Sequence, residues 1–161
     1  DGRVKVLDFG VAKMRNARTV TLPGIVKGKP LYMSPEQATA ERIDRRSDLF
    51  SIGLILHEAL TGKRAFDRHD DTKTMESIVN DPLPRPSGIP NHWWAIIEKA
   101  LQKRPEDRYR NALEMAQAIR ETVEPMKEHE LGAMVSSKFP RRVADVATWE
   151  QTKNRLASQK R

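Results

Sequence analysis

Between positions 47 and 60 the chain is apolar around most of a helical circumference. Leu49, Ile52, Leu56, Ala59 and Leu60 line one face, while Phe50, Leu54 and Ile55 spread over the others. A helix apolar on most sides is buried on most sides, so Ser47–Leu60 is predicted as the central helix, stopped by Thr61-Gly62. Trp93, Ile96, Ile97, Ala100 and Leu101 recur at i, i+3, i+4, i+7 and i+8, which predicts an amphipathic helix over 91–103 with Asn91 as its cap. Weaker periodicity predicts helices over Thr72–Asn80, with Met75, Ile78 and Val79 inward, and over Asn111–Glu121, with Ala112, Leu113, Ala116 and Ile119 on one side. Ser34-Pro35-Glu36 reads as the start of a short helix, a capping serine followed by a proline that forfeits no hydrogen bond there. Pro82, Pro84, Pro86 and Pro90 make the stretch between two helices a stiff extended loop.

At the N-terminus the pattern changes period. Val4-Lys5-Val6-Leu7 alternates apolar and polar and predicts a short β-strand. Residues 14–31 show no periodicity and read as a long loop, of a length that usually carries function. Beyond Pro125 the pattern thins: Leu131, Met134 and Val135 mark one helical face, and Val143, Val146, Ala147 and Trp149 a second short helix. Phe139 and Trp149 are the residues expected to dock this tail.

With 161 residues the chain is long enough for one domain with a core, and its 38% apolar and 32% charged residues read as a soluble protein slightly on the polar side. Without cysteine, disulfides and thiolate metal sites are excluded, and a cytoplasmic location is expected. No apolar run approaches the roughly 18 residues of a membrane helix. The opening Asp1-Gly2-Arg3-Val4 is neither a start methionine nor a signal peptide, so the chain is expected to continue something longer. The net charge of +7 is uneven. Residues 1–36 carry seven basic and three acidic groups, 37–125 carry 14 and 15, and 126–161 carry eight and four. Basic ends of this kind suit nucleic acid or an acidic surface, but more commonly they are simply solvated.

Four short motifs carry the candidate chemistry, each beside an ordinary structural explanation. Asp8-Phe9-Gly10 follows the predicted strand, and a carboxylate there beside a flexible glycine is a plausible cation ligand. Glu36 lies in the first turn of a helix, where the dipole favours a carboxylate in any case. Asp48 opens the most apolar helix and is expected to satisfy nearby backbone donors. Arg104-Pro105-Glu106-Asp107-Arg108 lies between two helices. If Arg108 is buried it requires a carboxylate in bidentate geometry, and spacing alone does not choose one. Rival chemistries are poorly supported. His57-Glu58-Ala59-Leu60-Thr61 lacks the second histidine of a zinc-protease helix, so His57 is expected to have a local partner. No serine has a nucleophile-elbow setting. Trp93-Trp94 reads as core plus surface contact, and Asp67, Asp70 and Asp71 as solvated acids.

The ordered series Asp8-Phe9-Gly10, Tyr32-Met33-Ser34-Pro35-Glu36-Gln37-Ala38, Ser47-Asp48-Leu49-Phe50-Ser51-Ile52-Gly53, Thr61-Gly62-Lys63-Arg64-Ala65-Phe66 and Arg104-Pro105-Glu106-Asp107-Arg108 resembles the bacterial eukaryotic-like (Hanks-type) serine/threonine protein kinases over residues 4 to about 122. The resemblance implies a mainly α-helical fold, a partial kinase C-lobe entered through a short β-strand and a long activation loop. It implies a partial kinase domain over 1–124, with the activation segment at 8–36, while charge and periodicity make 125–161 a basic, partly helical extension.

By the same resemblance, Asp8 holds Mg²⁺ between the phosphates of ATP, and Phe9 is the ring whose packing separates active from inactive states. Gly10 completes that turn, and Thr19 and Thr21 are the nearest phosphorylation candidates, with Arg15, Arg18, Lys27 and Lys29 available to the added charge. Glu36 pairs with Arg108, tying the substrate-binding loop to the helices, and Asp48 anchors the backbone of the catalytic loop. Lys29 departs from the threonine that most relatives carry after the glycine. The glycine-rich loop, the strand lysine and the His-Arg-Asp loop all precede the Asp-Phe-Gly turn in the family. The expected partners are therefore that missing N-lobe and catalytic loop, together with protein substrates, with no nucleic acid and no membrane segment. The segment alone is expected to be inactive. The alternatives are a pseudokinase-derived protein-interaction module and a basic helical nucleic-acid-binding domain.

Overall fold

A computed structural model describes residues 2–4, 30–83, 85–141 and 148. The chain divides into two compact units, Val20–Glu124 and a second formed by Asp1–Thr19 with Pro125–Arg161.

The first unit is helical. A 3₁₀ turn at Pro30–Tyr32 leads into the single turn α1, Pro35–Ala38, followed by α2 (Arg46–Thr61), α3 (Asp71–Asn80), α4 (Asn91–Ala100) and α5 (Ala112–Thr122), with a second 3₁₀ turn at Pro105–Asp107. The helix ends follow local chemistry. Gly62 closes α2 in the left-handed conformation (φ +68°) and donates its N–H to the Glu58 carbonyl. Asp70 caps α3 by accepting from the Lys73 N–H at 2.8 Å, and Asn111 caps α5 by accepting from the Glu114 N–H at 2.9 Å. Asp70 is exposed, as expected of a solvated acid, and serves in addition as the cap. At α4 the cap position is Pro90; Asn91 is already helical, and its side-chain oxygen accepts from Arg85.

Two apolar clusters meet at α2 and α4. One joins Phe50, Leu54, Phe66, Ile78, Ile89, Trp94, Ile97 and Leu101; the other joins Leu49, Ile96, Ala100, Tyr109 and Met115. Gly53 lies at the crossing, where a Cβ would stand 2.9 Å from both the Ala100 Cβ and the Leu101 Cδ2. The phases of three helices differ from the sequence reading. In α2 the inward residues are Ser47, Leu49, Phe50, Gly53, Leu54 and His57, while Ile52, Ile55 and Leu60 are exposed. In α5 Met115 is the buried residue and Leu113 is exposed. In α3 Thr74 and Ser77 turn inward beside Ile78. Glycine and small polar residues admit close approach and hydrogen bonding, preferences that hydropathy alone ranks low. Trp94 joins the core with Trp93 packed against it.

In the second unit, α6 spans Glu128–Lys138, its start held by the Glu130 carboxylate accepting from the Lys127 N–H at 3.1 Å. The face of Leu131, Met134 and Val135 does form on a helix, but no α6 residue is buried, and Phe139 is exposed. Trp149 and the second predicted tail helix lie outside the described residues, apart from Thr148.

The expected short strand is corrected: among the described residues there is no β-strand. A strand exists through a ladder with a neighbour, and no described segment offers one to Val4, which is 83% exposed. Residues 5–7 lie outside the described set. Among the described residues no helix is long and apolar enough to cross a membrane.

Candidate functional site

The site is built on the segment that enters α2. Pro30–Tyr32 forms its 3₁₀ turn, closed by the Met33 N–H donating to the Pro30 carbonyl at 3.0 Å. Ser34 is extended (φ −82°, ψ 160°) and Pro35 begins α1, so the chain turns sharply and points the next side chain, Glu36, into the protein. The Gln37 Oε1 accepts from the Ser34 N–H at 2.9 Å, the returning half of a capping box.

Glu36 meets Arg108 across 72 residues of sequence. Arg108 Nη1 donates to Glu36 Oε1 and Nη2 to Oε2, both at 2.8 Å, and the two side chains are 0% and 4% exposed. Every guanidinium proton has a home: Nε donates to the Gln102 carbonyl at 2.7 Å, Nη1 also to Arg46 O at 3.2 Å, and Nη2 also to Lys103 O at 2.8 Å. The Phe50 ring covers one face, its centre 4.8 Å from the guanidinium carbon. Ser47 Oγ donates to Glu36 Oε1 at 2.5 Å. Burial alone would push the Glu36 carboxyl up. The hydrogen bonds from Arg108 and Ser47, with the Arg108 charge, overcome this and hold it down at about 2. The pair satisfies the conditions under which a buried ion pair is tolerated: a matched fork and no leftover donor.

Two further bonds fasten the same segment to α2. Ser51 Oγ donates to the Tyr32 carbonyl at 2.7 Å, and Tyr32 Oη donates to Glu58 Oε2 at 2.6 Å. Ser47, Ser51 and Glu58 stand at i, i+4 and i+11, one polar line along an apolar helix. The sequence reading passed over Ser51, Glu58 and Tyr32 in this role; that polar line was the available signal.

Asp48 lies in the first turn of α2, exposed, and its carboxylate makes no hydrogen bond to the described residues. It does not satisfy nearby backbone donors there. His57 is buried near the end of the same helix, with Nδ1 3.1 Å from the Lys63 carbonyl, and burial pushes its imidazole down. This is the local partner expected of it. Asp8, Phe9, Gly10, Thr19, Thr21 and Lys29 lie outside the described residues. Among the described residues no group of three His, Asp or Glu side chains gathers around a point.

A helical lobe on a central helix, with a glutamate–arginine clamp closing the segment before it, defines a class, and comparison with known proteins gives the same one. The family model described as protein kinase domain matches residues 1–122. Among similar curated proteins, the tyrosine-protein kinase MasK of Myxococcus xanthus is 43% identical over 122 residues, covering 73% of this chain and 19% of its own length. The serine/threonine-protein kinase Pkn1 of Myxococcus xanthus is 38% identical over 95% of this chain and 24% of its own length. The serine/threonine-protein kinase PknB of Mycobacterium leprae is 40% identical over 70% of this chain and 19% of its own length. The chain belongs to the protein kinase domain family, with the bacterial Hanks-type serine/threonine kinases. It spans 19–24% of the length of these relatives.

Proposed function

We propose that this chain is the C-terminal part of the catalytic domain of an ATP-dependent protein serine/threonine kinase. Residues 1–124 supply the metal-binding turn, the activation segment and the helices that support it, and 125–161 form a basic extension. In the parent reaction a protein hydroxyl oxygen bonds to the γ-phosphorus of ATP, the bond to the ADP oxygen breaks, and the hydroxyl proton passes to a base. The observation that carries the proposal is the Glu36–Arg108 fork, which fixes the end of segment 8–36 against the helical core. Such a clamp holds a protein substrate's binding loop in one place, and phosphoryl transfer depends chiefly on positioning and electrostatics.

In this reading Asp8 holds Mg²⁺, whose charge offsets that developing on the phosphate oxygens. Asp48, with its carboxylate unengaged among the described residues, receives backbone donors of the catalytic loop. The phosphate clamp, the strand lysine and the base come from the N-lobe and catalytic loop of the same kinase. The chain by itself therefore transfers no phosphate.

The test compares the 161-residue chain with a chimera joining it to the corresponding N-terminal region of Pkn1. With Mg²⁺ and ATP, the chimera is expected to phosphorylate a protein substrate on serine or threonine, Asp8→Asn is expected to abolish this, and the chain alone is expected to be silent. Turnover of about 1 s⁻¹, an ordinary kinase rate, from the chain alone would overturn the proposal. A chimera that binds ATP yet transfers nothing supports the second reading, an interaction module descended from a kinase. That reading is favoured by Lys29, which stands where the family resemblance implies threonine. Phosphotyrosine as the product would move the chain's specificity toward that named for MasK.

A further inference from the structure

The clamp has a third participant. Lys103 is half-buried in the connection between α4 and α5, and its side chain and main chain serve different neighbours. Its Nζ donates to the Ile78 carbonyl at 2.5 Å, lies 3.5 Å from the Ser77 carbonyl, and stands 4.2 Å from the centre of the Phe66 ring. Ile78 is within the last four residues of α3, whose carbonyls have no partner inside the helix. Lys103 thus closes the end of α3 from outside. Its own carbonyl accepts from Arg108 Nη2, and that of its neighbour Gln102 accepts from Arg108 Nε.

We infer that Lys103 is a positioning residue that joins α3 to the Glu36–Arg108 clamp, so that the placement of α3 and of the segment ending at Glu36 is set together. The side chain fixes the helix end to the connection, the connection's carbonyls orient the guanidinium, and the guanidinium orients Glu36. The inference rests on the proposed function only in taking that segment as what a protein substrate meets. Its test uses no phosphoryl transfer, so the two can fail separately.

Charge sets how tightly the joint closes. The groups facing Nζ are Asp81 at the end of α3, which attracts it, and Arg108, which repels it. Asp81 itself accepts from Ser77 Oγ and from Arg68 of the preceding loop, and Arg108 is neutralised in turn by Glu36. Burial, with the Arg108 charge, outweighs Asp81 and pulls Lys103 down from 10.5 to about 8. An open joint returns Nζ to water and toward its ordinary value. The closed joint therefore holds fewer protons between those two values, and raising the pH from about 7 to 9 tightens it.

The experiment is NMR hydrogen exchange on the 161-residue chain. It follows the Asp81 N–H, which donates to Ser77 O, and the Arg108 Nε–H, with the Leu101 N–H in the core as control. Lys103→Met is expected to speed exchange at Asp81 and Arg108 together by about tenfold, the scale of one lost hydrogen bond to a charged group, with Leu101 unchanged. Lys103→Arg retains donors and a permanent charge. It is expected to recover most of the protection and to lose the pH response. In the wild type both protons should gain protection relative to Leu101 between pH 7 and 9. The inference is overturned if Arg108 is unaffected by Lys103→Met, or if Leu101 loosens equally. It is also overturned if Lys103→Arg is as loose as Lys103→Met. Where Lys103→Met does not fold, Lys103→Gln, which removes the charge and keeps a donor, is read on the same three protons, and an unchanged Arg108 or an equal loosening of Leu101 overturns the inference.

Discussion

Removing either half of the Glu36–Arg108 pair strands a charge inside the protein. Glu36→Ala leaves a guanidinium with two unmet protons beneath Phe50, and Arg108→Ala leaves a buried carboxylate with its Ser47 and backbone hydrogen bonds but no counter-charge. Each is expected to cost about 3–5 kcal/mol, read as a lower urea midpoint. The double variant should cost much less than the sum, because nothing charged remains unpaired; strict additivity would show that the two side chains do not depend on one another. Acid provides an independent reading. The folded Glu36 carboxyl sits at about 2, against an ordinary value of 4.5. Its contribution is therefore complete above pH 4.5 and drains away as the pH falls to about 2. The Tm advantage of the wild type over Glu36→Gln should shrink through that window. Other carboxylates titrate there too, but they are common to both proteins and cancel. A constant gap would mean that Glu36 is not held ionised.

At the scale of elements, the contact between α2 and α4 depends on a missing side chain. Gly53 sits mid-helix, where alanine would ordinarily gain about 1 kcal/mol from helix propensity. Here the added methyl meets Ala100 and Leu101 at 2.9 Å. Gly53→Ala is expected to destabilise by about 1–3 kcal/mol through overpacking, with thermal unfolding as the measurement. A rise in Tm would show that the helices do not approach so closely. The crossing also explains why periodicity misjudged the face of α2. A hydropathy pattern counts Ile52 and Leu60 as inward and gives Gly53 and His57 no weight. The structure buries the glycine for its small size, and the histidine because its Nδ1 reaches the Lys63 carbonyl. In α5 Met115 takes the inward place beside Leu49, Ile96, Ala100 and Tyr109, and Leu113 is exposed.

Over the whole molecule, the inward turn of Gly53 leaves an outward line on α2. Asp48, Ile52, Ile55 and Ala59 follow one another at helical spacing, with Ile52 39% and Ile55 54% exposed. Two isoleucines in one line on the central helix form an adhesive surface. The isolated chain is expected to associate with rising concentration and to bind an apolar dye, and Ile52→Glu with Ile55→Lys should reduce both while barely changing Tm. A chain that sediments as a monomer at every concentration and leaves the dye dark would refute this. In the proposed parent domain the same line would meet the remainder of the lobe.

The linear sequence determined the helices, their approximate limits and the family. Those depend on local quantities: apolar spacing, a proline or glycine at an end, and short motifs in a fixed order. It also showed that a buried Arg108 would need a carboxylate. The family resemblance named Glu36 as that carboxylate, but only the tertiary structure engaged both its oxygens, because residues 72 positions apart are brought together by how α2, α4 and the connection after α4 pack. Tertiary structure alone also decided which side of α2 faces inward, since that depends on the close approach of two helices at Gly53. It likewise gave Val4 no strand partner among the described residues, because a ladder requires a second strand that no single segment supplies.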